Sequence, residues 1–434
     1  MKINRRLLSV VCCLGAIFPA ASAVITPEDT VKLAIAHSQT LKSRDQDILA
    51  AAARRLQADA GLRPQFDVRA QANHFEGLEN QVLGPVSIPV IDNQFTASIG
   101  ISQPLYTGGR ATHQKLSARL GEEAARQSLT SSVADMTLQT LTTYWSWSKA
   151  LEQSKALQMA VTRMKALAAD TVNLEKAGLA TDNDRLAVDV SLDQTQLQLD
   201  DADQQAELNR IELSRLTGRD WGETETPQQP ALQPGNLTVI PLEECLRQSF
   251  SNRADLVALR LSARAGAALV EAARAESRPQ LALVARYEQG RPNPRDFPPD
   301  DQWRDDAVIG AVVTWTLFDG GLTRGRTGEA QARATREALL LQAAEESVVS
   351  QVRTAHLTLL HALKRLETTR HAETGARRNL DVATDLLKHG MTRHSDVLEA
   401  QSKLTHTTAQ RIAAEADILL AQAALKHATG GLAP

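Results

Sequence analysis

Four segments of the chain alternate between apolar and polar residues, which is the pattern of a β-strand with two unlike faces. The alternation is cleanest over 66–73 and 94–103, and it returns less cleanly over 281–287 and 307–318. The apolar members of the two clean segments are Phe66, Val68, Ala70 and Ala72, then Phe95, Ala97, Ile99 and Ile101. In the last segment one face is formed by Ile309, Ala311, Val313 and Trp315. The sequence therefore predicts two β-hairpins, each with one apolar face.

Two other segments place apolar or small residues at alternating steps of three and four, the spacing of a coiled coil. Asn209 interrupts the first segment and Arg411 the second. The periodic positions are Val188, Leu192, Thr195, Leu199, Ala202, Ala206, Leu213 and Leu216, then Leu404, Thr407, Ala414, Ile418, Ala421, Leu425 and Ala428. Ahead of the first one, 110–177 has no proline and one glycine, Gly121, so a helix there would reach about 100 Å at 1.5 Å per residue. No globular core needs a helix of that length.

The chain repeats itself, because Arg63-Pro64-Gln65 returns as Arg278-Pro279-Gln280 at an offset of 215 residues. From 105 to 218 the offset is 212. The three-residue difference between the two offsets arises between the Arg-Pro-Gln and Gly-Gly motifs. Each copy reads as helix, two strands, long helix, short turn and helix. We expect copy one over 24–225, with helices 26–61, 110–177 and 182–217, and strands near 66–73 and 94–103. Copy two over 242–434 then has helices 242–276, 322–389 and 395–429, strands near 281–287 and 307–318, and the proline-rich linker 226–241 before it.

The N-terminus has the three parts of a secretory signal peptide. Lys2, Arg5 and Arg6 precede an apolar run over 7–18, and Ala21-Ser22-Ala23 is a small-residue cleavage site. We expect a signal peptide over 1–23 and a mature chain that begins at Val24. Lipidation at Cys12 or Cys13 is a weaker alternative, since Ser9-Val10-Val11 lacks the small residue usual before a lipidated cysteine.

Removal of 1–23 leaves Cys245 as the only cysteine, so no intrachain disulfide is expected. Beyond the signal no run of about 18 apolar residues exists, so no transmembrane helix is predicted. The full chain has 48 basic and 51 acidic residues, a net charge of −3, which argues against a nucleic-acid partner. Only 3% of residues are aromatic, as expected where few large side chains are buried per helical turn.

No sequence motif indicates catalysis, a cofactor or a bound metal. The glycine-rich segment 320–328 follows a strand and opens a helix, but it lacks both G-x-G-x-x-G and a Gly-Lys-Ser/Thr ending. His389 and His394 are five residues apart, as are His356 and His361, a spacing that does not bring a pair onto one helical face. We interpret them as exposed histidines and the protein as a non-enzyme.

Alternating strands alone favour a sandwich with one solvated face. In an exported chain, however, strands of about ten residues with one apolar side have the length and period of outer-membrane barrel strands. Four strands cannot close a barrel, since single-chain barrels need at least about eight. Subunits would therefore combine their strands, and a trimer would supply twelve.

These features together resemble the TolC family of outer-membrane efflux and secretion channels, over essentially all of 24–434. The most specific marks are two strand-to-helix turns and two helix-to-helix turns. They are Pro104-Leu-Tyr-Thr-Gly-Gly109, Thr316-Leu-Phe-Asp-Gly-Gly321, Lys176-Ala-Gly-Leu-Ala-Thr-Asp-Asn-Asp184 and Lys388-His-Gly-Met-Thr-Arg-His-Ser-Asp396. The resemblance implies a mainly α protein with a small β part that forms a homotrimer. Four strands from each chain would form a twelve-stranded barrel in outer-membrane lipid of a Gram-negative bacterium. The barrel would continue into an α-helical periplasmic tunnel.

The family resemblance also implies partners and site residues. The tunnel would meet a periplasmic adaptor, or membrane fusion, protein and an inner-membrane pump of the RND, ABC or MFS type. The turns at the tunnel tips make Gly178, Leu179, Gly390 and Met391 candidates for adaptor docking, although a plain helix–helix turn would look the same. Glycine at 178 and 390 can take the left-handed conformation that ends a helix, and Thr181 with Asp184 can cap the next one. The glycines at the barrel–helix junction are Gly108, Gly109, Gly320 and Gly321.

Acidic residues after the second turn suggest a gate in the channel, a prediction that we call the gate hypothesis. Family members can place acids there that form the narrowest ring of the channel, and Asp396 and Glu399 occupy those positions. In a trimer six carboxylates would surround one axis, attract cations and raise one another's pKa values. Copy one departs from this pattern, because it has Asp184 but Ala187 in place of the second acid. The alternative is that these are solvated acids favoured at a helix start.

The resemblance thus implies a passive outer-membrane conduit of a tripartite efflux or type I secretion system. The main alternative is a periplasmic coiled-coil scaffold with a small β-domain, which would have no reason to carry lipid-length strands. An envelope enzyme has no catalytic constellation behind it, and a β-rich adaptor would need only one helical hairpin.

Overall fold

The computed structural model describes residues 24–77, 79, 81–88, 91–222, 225–228, 239–297 and 299–432. Those residues are mostly α-helical, with a small β part, as the sequence predicted. The expected signal peptide over 1–23 and residues 229–238 of the linker lie outside the described residues. No helix in the described ranges is both long enough and apolar enough to cross a membrane.

Two pairs of long helices account for most of the chain. Helix α3 (Arg110–Lys176) and helix α7 (Leu322–Lys388) have 67 residues each. Each is followed by a short turn and a second helix, α4 (Asp182–Thr217) after α3 and α8 (His394–Ala428) after α7. The bounds differ from the expected ones by at most one residue.

The two shorter helical segments are broken, which the sequence analysis did not predict. The first forms α1 (Pro27–His37) and α2 (Gln39–Ala60). Ser38 separates them because its side chain accepts a hydrogen bond from the Leu41 amide and caps α2. The second forms α5 (Leu242–Asn252) and α6 (Ala254–Arg274), with a 3₁₀ turn at Ala275–Ser277.

Arg253 causes the second break. Its backbone is extended, with φ −70° and ψ 116°, and its buried guanidinium binds the Asp255 carboxylate through Nε and Nη2. Its Nη1 also donates to Oε1 of Gln351 in α7 at 2.7 Å. A helical backbone at Arg253 would break these hydrogen bonds. The contact with Gln351, far along the chain, therefore sets the local conformation.

Four antiparallel strands form the main sheet, in the order β2–β5–β7–β8. Their bounds are β2 Gln65–His74, β5 Asn93–Tyr106, β7 Gln280–Arg291 and β8 Arg304–Thr314. Strand β8 starts and ends earlier than predicted, so Trp315 follows it. A small hairpin that was not predicted, β3 (Gln81–Leu83) with β4 (Val86–Ile88), lies in the segment between β2 and β5.

The register of the sheet lines up its apolar residues across all four strands. One cross-strand row is Phe66, Ile101, Ala285 and Ile309, and the next is Val68, Ile99, Tyr287 and Ala307. Since side chains alternate between faces along each strand, these rows lie on one face. A bulge after Pro104 then pairs Tyr106 with Leu281, which adds the Tyr106 ring to the same face. The predicted apolar face is therefore continuous.

The chain divides into two compact units, and both contain parts of the two sequence copies. The hairpin unit draws its described residues from 1–37, 139–237 and 361–420, and holds the two helix–helix turns. The sheet unit draws its described residues from 38–138, 238–360 and 421–434, and holds the four-stranded sheet with α2, α5 and α6.

A small aromatic core organises one end of the hairpin unit. Its buried members are Ile25, Tyr144, Trp147, Leu213 and Trp221. The Tyr144 hydroxyl donates to the Ile25 carbonyl at 2.7 Å and accepts from the Gln228 amide at 2.9 Å. It thereby joins strand β1 (Val24–Ile25) to strand β6 (Thr226–Pro227), which pair in parallel. Burial raises the pKa of Tyr144 to about 12, so the hydroxyl stays protonated and able to donate at neutral pH.

Candidate functional site: the hairpin tips and the sheet-to-helix junctions

The turns at the ends of α3 and α7 have the same backbone geometry. Gly178 and Gly390 have φ of 71° and 68°, the left-handed conformation predicted for them. The Gly178 amide donates to Glu175 O at 2.9 Å, and the Leu179 amide donates to Leu174 O at 2.8 Å. The first bond reaches back three residues and the second reaches back five. Together they form a Schellman motif.

The second turn repeats that motif bond for bond. The Gly390 amide donates to Leu387 O at 2.9 Å and the Met391 amide to Leu386 O, also at 2.9 Å. Each turn leaves one large apolar side chain in solvent, since Leu179 is 74% exposed and Met391 66% exposed. Apolar side chains of that size in solvent on two equivalent turns are suited to contact with another protein.

Asp184 closes the helix start after the first turn. Thr181 accepts from the Asp184 amide at 3.2 Å, while Asp184 accepts from the Thr181 amide at 3.0 Å and from its hydroxyl at 2.6 Å. This is the capping box that the sequence predicted. The hydroxyl and amide of Thr181 lower the pKa of Asp184 below 3.8, with a smaller contribution from the charge of His394.

Asp396 occupies the same position after the second turn, where only half of the capping box remains. Its carboxylate accepts from the Arg393 amide at 3.2 Å and from the Thr392 hydroxyl, but arginine replaces the threonine of copy one at 393. Those donors lower the pKa of Asp396, the Thr392 hydroxyl most of all. Within one chain the pKa shift is thus opposite in direction to the one expected from a ring of carboxylates.

Glu399 differs from both aspartates. It is exposed and has no hydrogen bond or ion pair with any residue that the structure describes. Of the three acids in the gate hypothesis, Glu399 alone is free of a capping role, so it is the residue whose charge can be removed without damage to a helix start.

His394 corrects one of our expectations. We interpreted it as exposed, but only 7% of its surface is accessible, and Nε2 is buried without a hydrogen-bond partner among the described atoms. It is the first residue of α8, and when protonated it adds a small contribution to the lowered pKa of Asp184 at the start of α4. His389 is exposed as predicted, whereas His356 is half-buried against Ile240 O.

The glycines after β5 and β8 also adopt matching conformations. Gly108 and Gly109 have φ of 66° and 93°, and Gly320 and Gly321 have φ of 66° and 95°. Residues with side chains rarely adopt these angles, so each pair redirects the backbone from strand to helix at low cost. Asp319 adds a cap for α7 by accepting from the Thr323 amide at 2.8 Å.

Aromatic residues of the sheet unit gather at the two ends of the strands. Phe95 and Trp303 lie at one end, with ring centroids 6.3 Å apart. Tyr106 and Trp315 lie at the other end, where the Trp315 indole donates to Ser277 O at 3.0 Å. Aromatic girdles that flank an apolar band are a feature of outer-membrane strands. The sequence did not reveal Trp303 or Tyr106 as part of this pattern, because a loop and a bulge position them.

Metal-ligating side chains do not gather in groups of three or more anywhere in the described ranges. The sites described above offer contact and charge: an apolar sheet face, two apolar tips and acids beside them.

This combination of a membrane-type sheet and very long helical hairpins defines a class of outer-membrane channel proteins. The family model for outer membrane efflux proteins matches residues 30–219 and again 245–431. The chain therefore belongs to the outer membrane efflux protein family, as its TolC-like motifs predicted. It is an outer-membrane protein of a family of channels rather than enzymes, and the two separate matches reflect its two copies.

Solved structures of channels share the fold. The outer-membrane channel OprN has a TM-score of 0.82 at 20% identity, covering 94% of this chain and 91% of that one. VceC from Vibrio cholerae has 0.81 at 18% identity, covering 93% and 96%. The CmeC outer membrane channel of Campylobacter jejuni has 0.78 at 18% identity, covering 99% and 94%. Sequence comparison with individually characterised proteins gives no significant match.

Proposed function

We propose that this protein is the outer-membrane component of a tripartite efflux or type I secretion system. In this proposal three copies combine their strands into a twelve-stranded barrel, and their helices form a periplasmic tunnel. The protein is a passive conduit, and an inner-membrane pump of the RND, ABC or MFS type supplies the energy through a periplasmic adaptor.

The four-stranded sheet is the observation that carries the proposal. Its apolar face is exposed across its width, with Phe66 73% and Ile309 87% exposed. The described edges of β2 and β8 have no strand beside them. A sheet with an exposed apolar face and two open edges would aggregate in water, whereas closure with other copies in lipid satisfies both the apolar face and the edges.

The test combines location, mass and conductance. The expressed protein should fractionate with the outer membrane, have the mass of three chains in mild detergent, and form ion-conducting pores in planar bilayers. Recovery of a soluble periplasmic monomer without conductance would instead support the scaffold alternative.

The gate hypothesis is tested by Glu399→Gln. If Glu399 belongs to a ring of acids at the narrowest point, removing its charge should raise conductance or weaken cation selectivity without lowering the melting temperature. Glu243→Gln removes another exposed acid, at the start of α5, and should leave conductance unchanged. Identical single-channel currents for Glu399→Gln and wild type would reject the gate assignment.

The docking hypothesis is tested at the exposed apolar tips. The double variant Leu179→Glu, Met391→Glu should lose efflux in cells that contain a matching adaptor and pump while keeping its conductance in bilayers. Leu208→Glu changes a leucine that is 52% exposed in α4, away from the tips in sequence, and should retain efflux. Unimpaired efflux by the tip variant would mean that these side chains are not part of the docking surface.

A further inference from the structure

The two copies of the repeat make the same contacts where a strand meets the helix before it. Nε2 of Gln103 donates to Leu62 O at 3.0 Å, and Nε1 of Trp315 donates to Ser277 O at 3.0 Å. The donors are related by the offset of 212 residues and the acceptors by that of 215. Strand pairing obeys the same offsets, because the pair Phe66 and Ile101 corresponds to the observed pair Leu281 and Val313. Contacts in one copy therefore predict contacts in the other.

One contact joins the two copies of the repeat within the chain. The repeat offsets predict it twice, but the described chain makes it only once. Gly108, after β5, packs against the turn before β7, where Nη1 of Arg278 donates to Gly108 O at 2.9 Å. A Cβ on Gly108 would lie 2.6 Å from Ala275 O and 2.8 Å from Cβ of Arg278. The junction after the copy-one strands is thus held tightly by the arginine of copy two.

The equivalent contact in the other direction would join Arg63 to Gly320. Both residues are present, but they do not meet within the described chain. Gly320 has the same φ as Gly108, yet no described atom lies within 4 Å of a Cβ built on it. Arg63 corresponds to Arg278 and begins from the same turn, since the Arg63 amide donates to Ala60 O at 3.0 Å and the Arg278 amide to Ala275 O at 3.1 Å. The Arg63 side chain is exposed and makes no hydrogen bond or ion pair with the described residues, and its charge adds only to the larger effect of Lys115 in lowering the pKa of Asp59.

The helices of the sheet unit show the same imbalance. Ala268, Val270 and Ala272 of α6 are buried, but their copy-one counterparts in α2, Ala53, Arg55 and Gln57, are exposed. The first part of α3 contains the buried residues Ala111, Ser117, Leu120, Glu122 and Ala124. The corresponding part of α7 has none up to residue 347. Helix α2 therefore has an uncovered face where its counterpart α6 is buried. The start of α7 likewise has an uncovered face where the start of α3 is buried.

We propose that a second copy of this chain completes these contacts in a defined register, with Arg63 of one copy donating to Gly320 O of the next. The inference rests on the proposed oligomeric channel and specifies its subunit contact. Applying the offsets to the observed pair Ile99 and Tyr287 places Ala311 of one copy opposite Ala72 of the next. The pair Ile101 and Ala285 likewise places Val313 opposite Ala70. These four residues belong to the apolar rows of β8 and β2, so the apolar face would continue unbroken across the subunit boundary.

Disulfide cross-linking tests the register. Opposed residues of an antiparallel pair have Cα atoms about 4.5–5.5 Å apart, within the range of a disulfide, whereas diagonal neighbours are about 7–8 Å apart. With the buried Cys245 replaced by alanine, the variant Ala72→Cys, Ala311→Cys should give oxidant-dependent dimers and trimers in denaturing gels. The matched variant Ala70→Cys, Ala311→Cys should give few or none.

The outcomes separate this inference from the proposed function. Stronger cross-linking by Ala70→Cys, Ala311→Cys, or no cross-linking in a protein that keeps the mass of three chains, would overturn the register and leave the channel proposal standing. A monomer in mild detergent would overturn both.

The arginine contact has its own test. Arg63→Ala should weaken association by about tenfold per interface, the loss typical of one charge-assisted hydrogen bond, and lower the temperature at which the oligomer dissociates. Gly320→Ala should also lower that temperature, because its Cβ would meet the partner's turn in addition to straining the left-handed backbone. Arg119→Ala, which removes an exposed arginine paired with Glu123 on α3, is the control and should dissociate like wild type. Wild-type dissociation temperatures for both Arg63→Ala and Gly320→Ala would overturn the contact.

Discussion

Two glycines near the start of α3 show how surroundings decide what a residue contributes. Gly108 has φ of 66° and no room for a methyl group, while Gly121 is an ordinary helical residue with open space around its Cα. Gly108→Ala should therefore destabilise the protein by about 2 kcal/mol or more, since left-handed backbone costs about 1–2 kcal/mol and the clash adds to it. Melting followed by circular dichroism in detergent would measure this effect.

Gly121→Ala is the matched control, with the opposite sign. Alanine in a helix interior is favoured over glycine by about 0.5–1 kcal/mol, so this variant should melt at the same temperature as wild type or higher. Equal losses of stability in the two variants would show that the close approach of Gly108 to Ala275 is not important.

The capping box of Asp184 makes a pH-dependent contribution to the hairpin tip. Because the pKa of Asp184 is lowered in the fold, its ionised form is stabilised relative to the unfolded chain. That stabilisation is complete above the ordinary value of 3.8 and is lost as pH falls through the lowered pKa. Asp184→Asn should therefore melt below wild type at neutral pH, with a difference that shrinks below pH 3.8.

The control for that series is Asp193→Asn, an exposed aspartate on α4 with no hydrogen bond or ion pair among the described residues. It should show no comparable difference at neutral pH. A melting-temperature gap for Asp184→Asn that stays constant from neutral to acidic pH would contradict the ionised cap.

At the scale of elements, the pairing of α7 with α8 combines an apolar seam with an ion cluster. Arg411, which interrupts the coiled-coil pattern, donates from Nε to Glu373 and from Nη1 to Glu415 at 2.7 Å. Glu373 is 8% exposed and also accepts from the Thr408 hydroxyl at 3.1 Å. The polar exception in the pattern is therefore a satisfied contact that specifies how the two helices align.

Glu373→Leu should be costly because it removes one of the two carboxylates that pair with the half-buried Arg411. We expect a loss of about 1–3 kcal/mol, below the range for a fully buried charge because Glu415 still neutralises Arg411. The double variant Glu373→Leu, Arg411→Met should recover most of that loss, since an apolar pair of similar volume can replace an ion pair. A double-mutant cycle on melting would measure the coupling, and additive effects would contradict it.

The elements also show what the sequence could predict. The strands and their faces followed from alternation, and the helix ends at Gly178 and Gly390 from residues that favour one backbone conformation. The breaks at Ser38 and Arg253 were missed for different reasons. Ser38 carries a local capping signal that could have been read, whereas Arg253 depends on Gln351, which no local pattern reveals. The burial of His394 was likewise missed because it results from packing at the hairpin tip.

At the scale of the whole molecule, the apolar sheet face must meet lipid for the fold to be stable, and adjacent residues of β8 can test this. Ile309 lies on the apolar face, in a row with Phe66 and Ile101, and Val308 points to the opposite face. Near the middle of a lipid-facing strand an arginine costs about 2–4 kcal/mol, whereas the interior of a barrel accepts charge. Ile309→Arg should therefore sharply reduce the amount of assembled protein in the outer membrane, and Val308→Arg should assemble close to wild type. Quantitative blotting of outer-membrane fractions measures both, and equal assembly of the two variants would mean that the apolar face does not contact lipid.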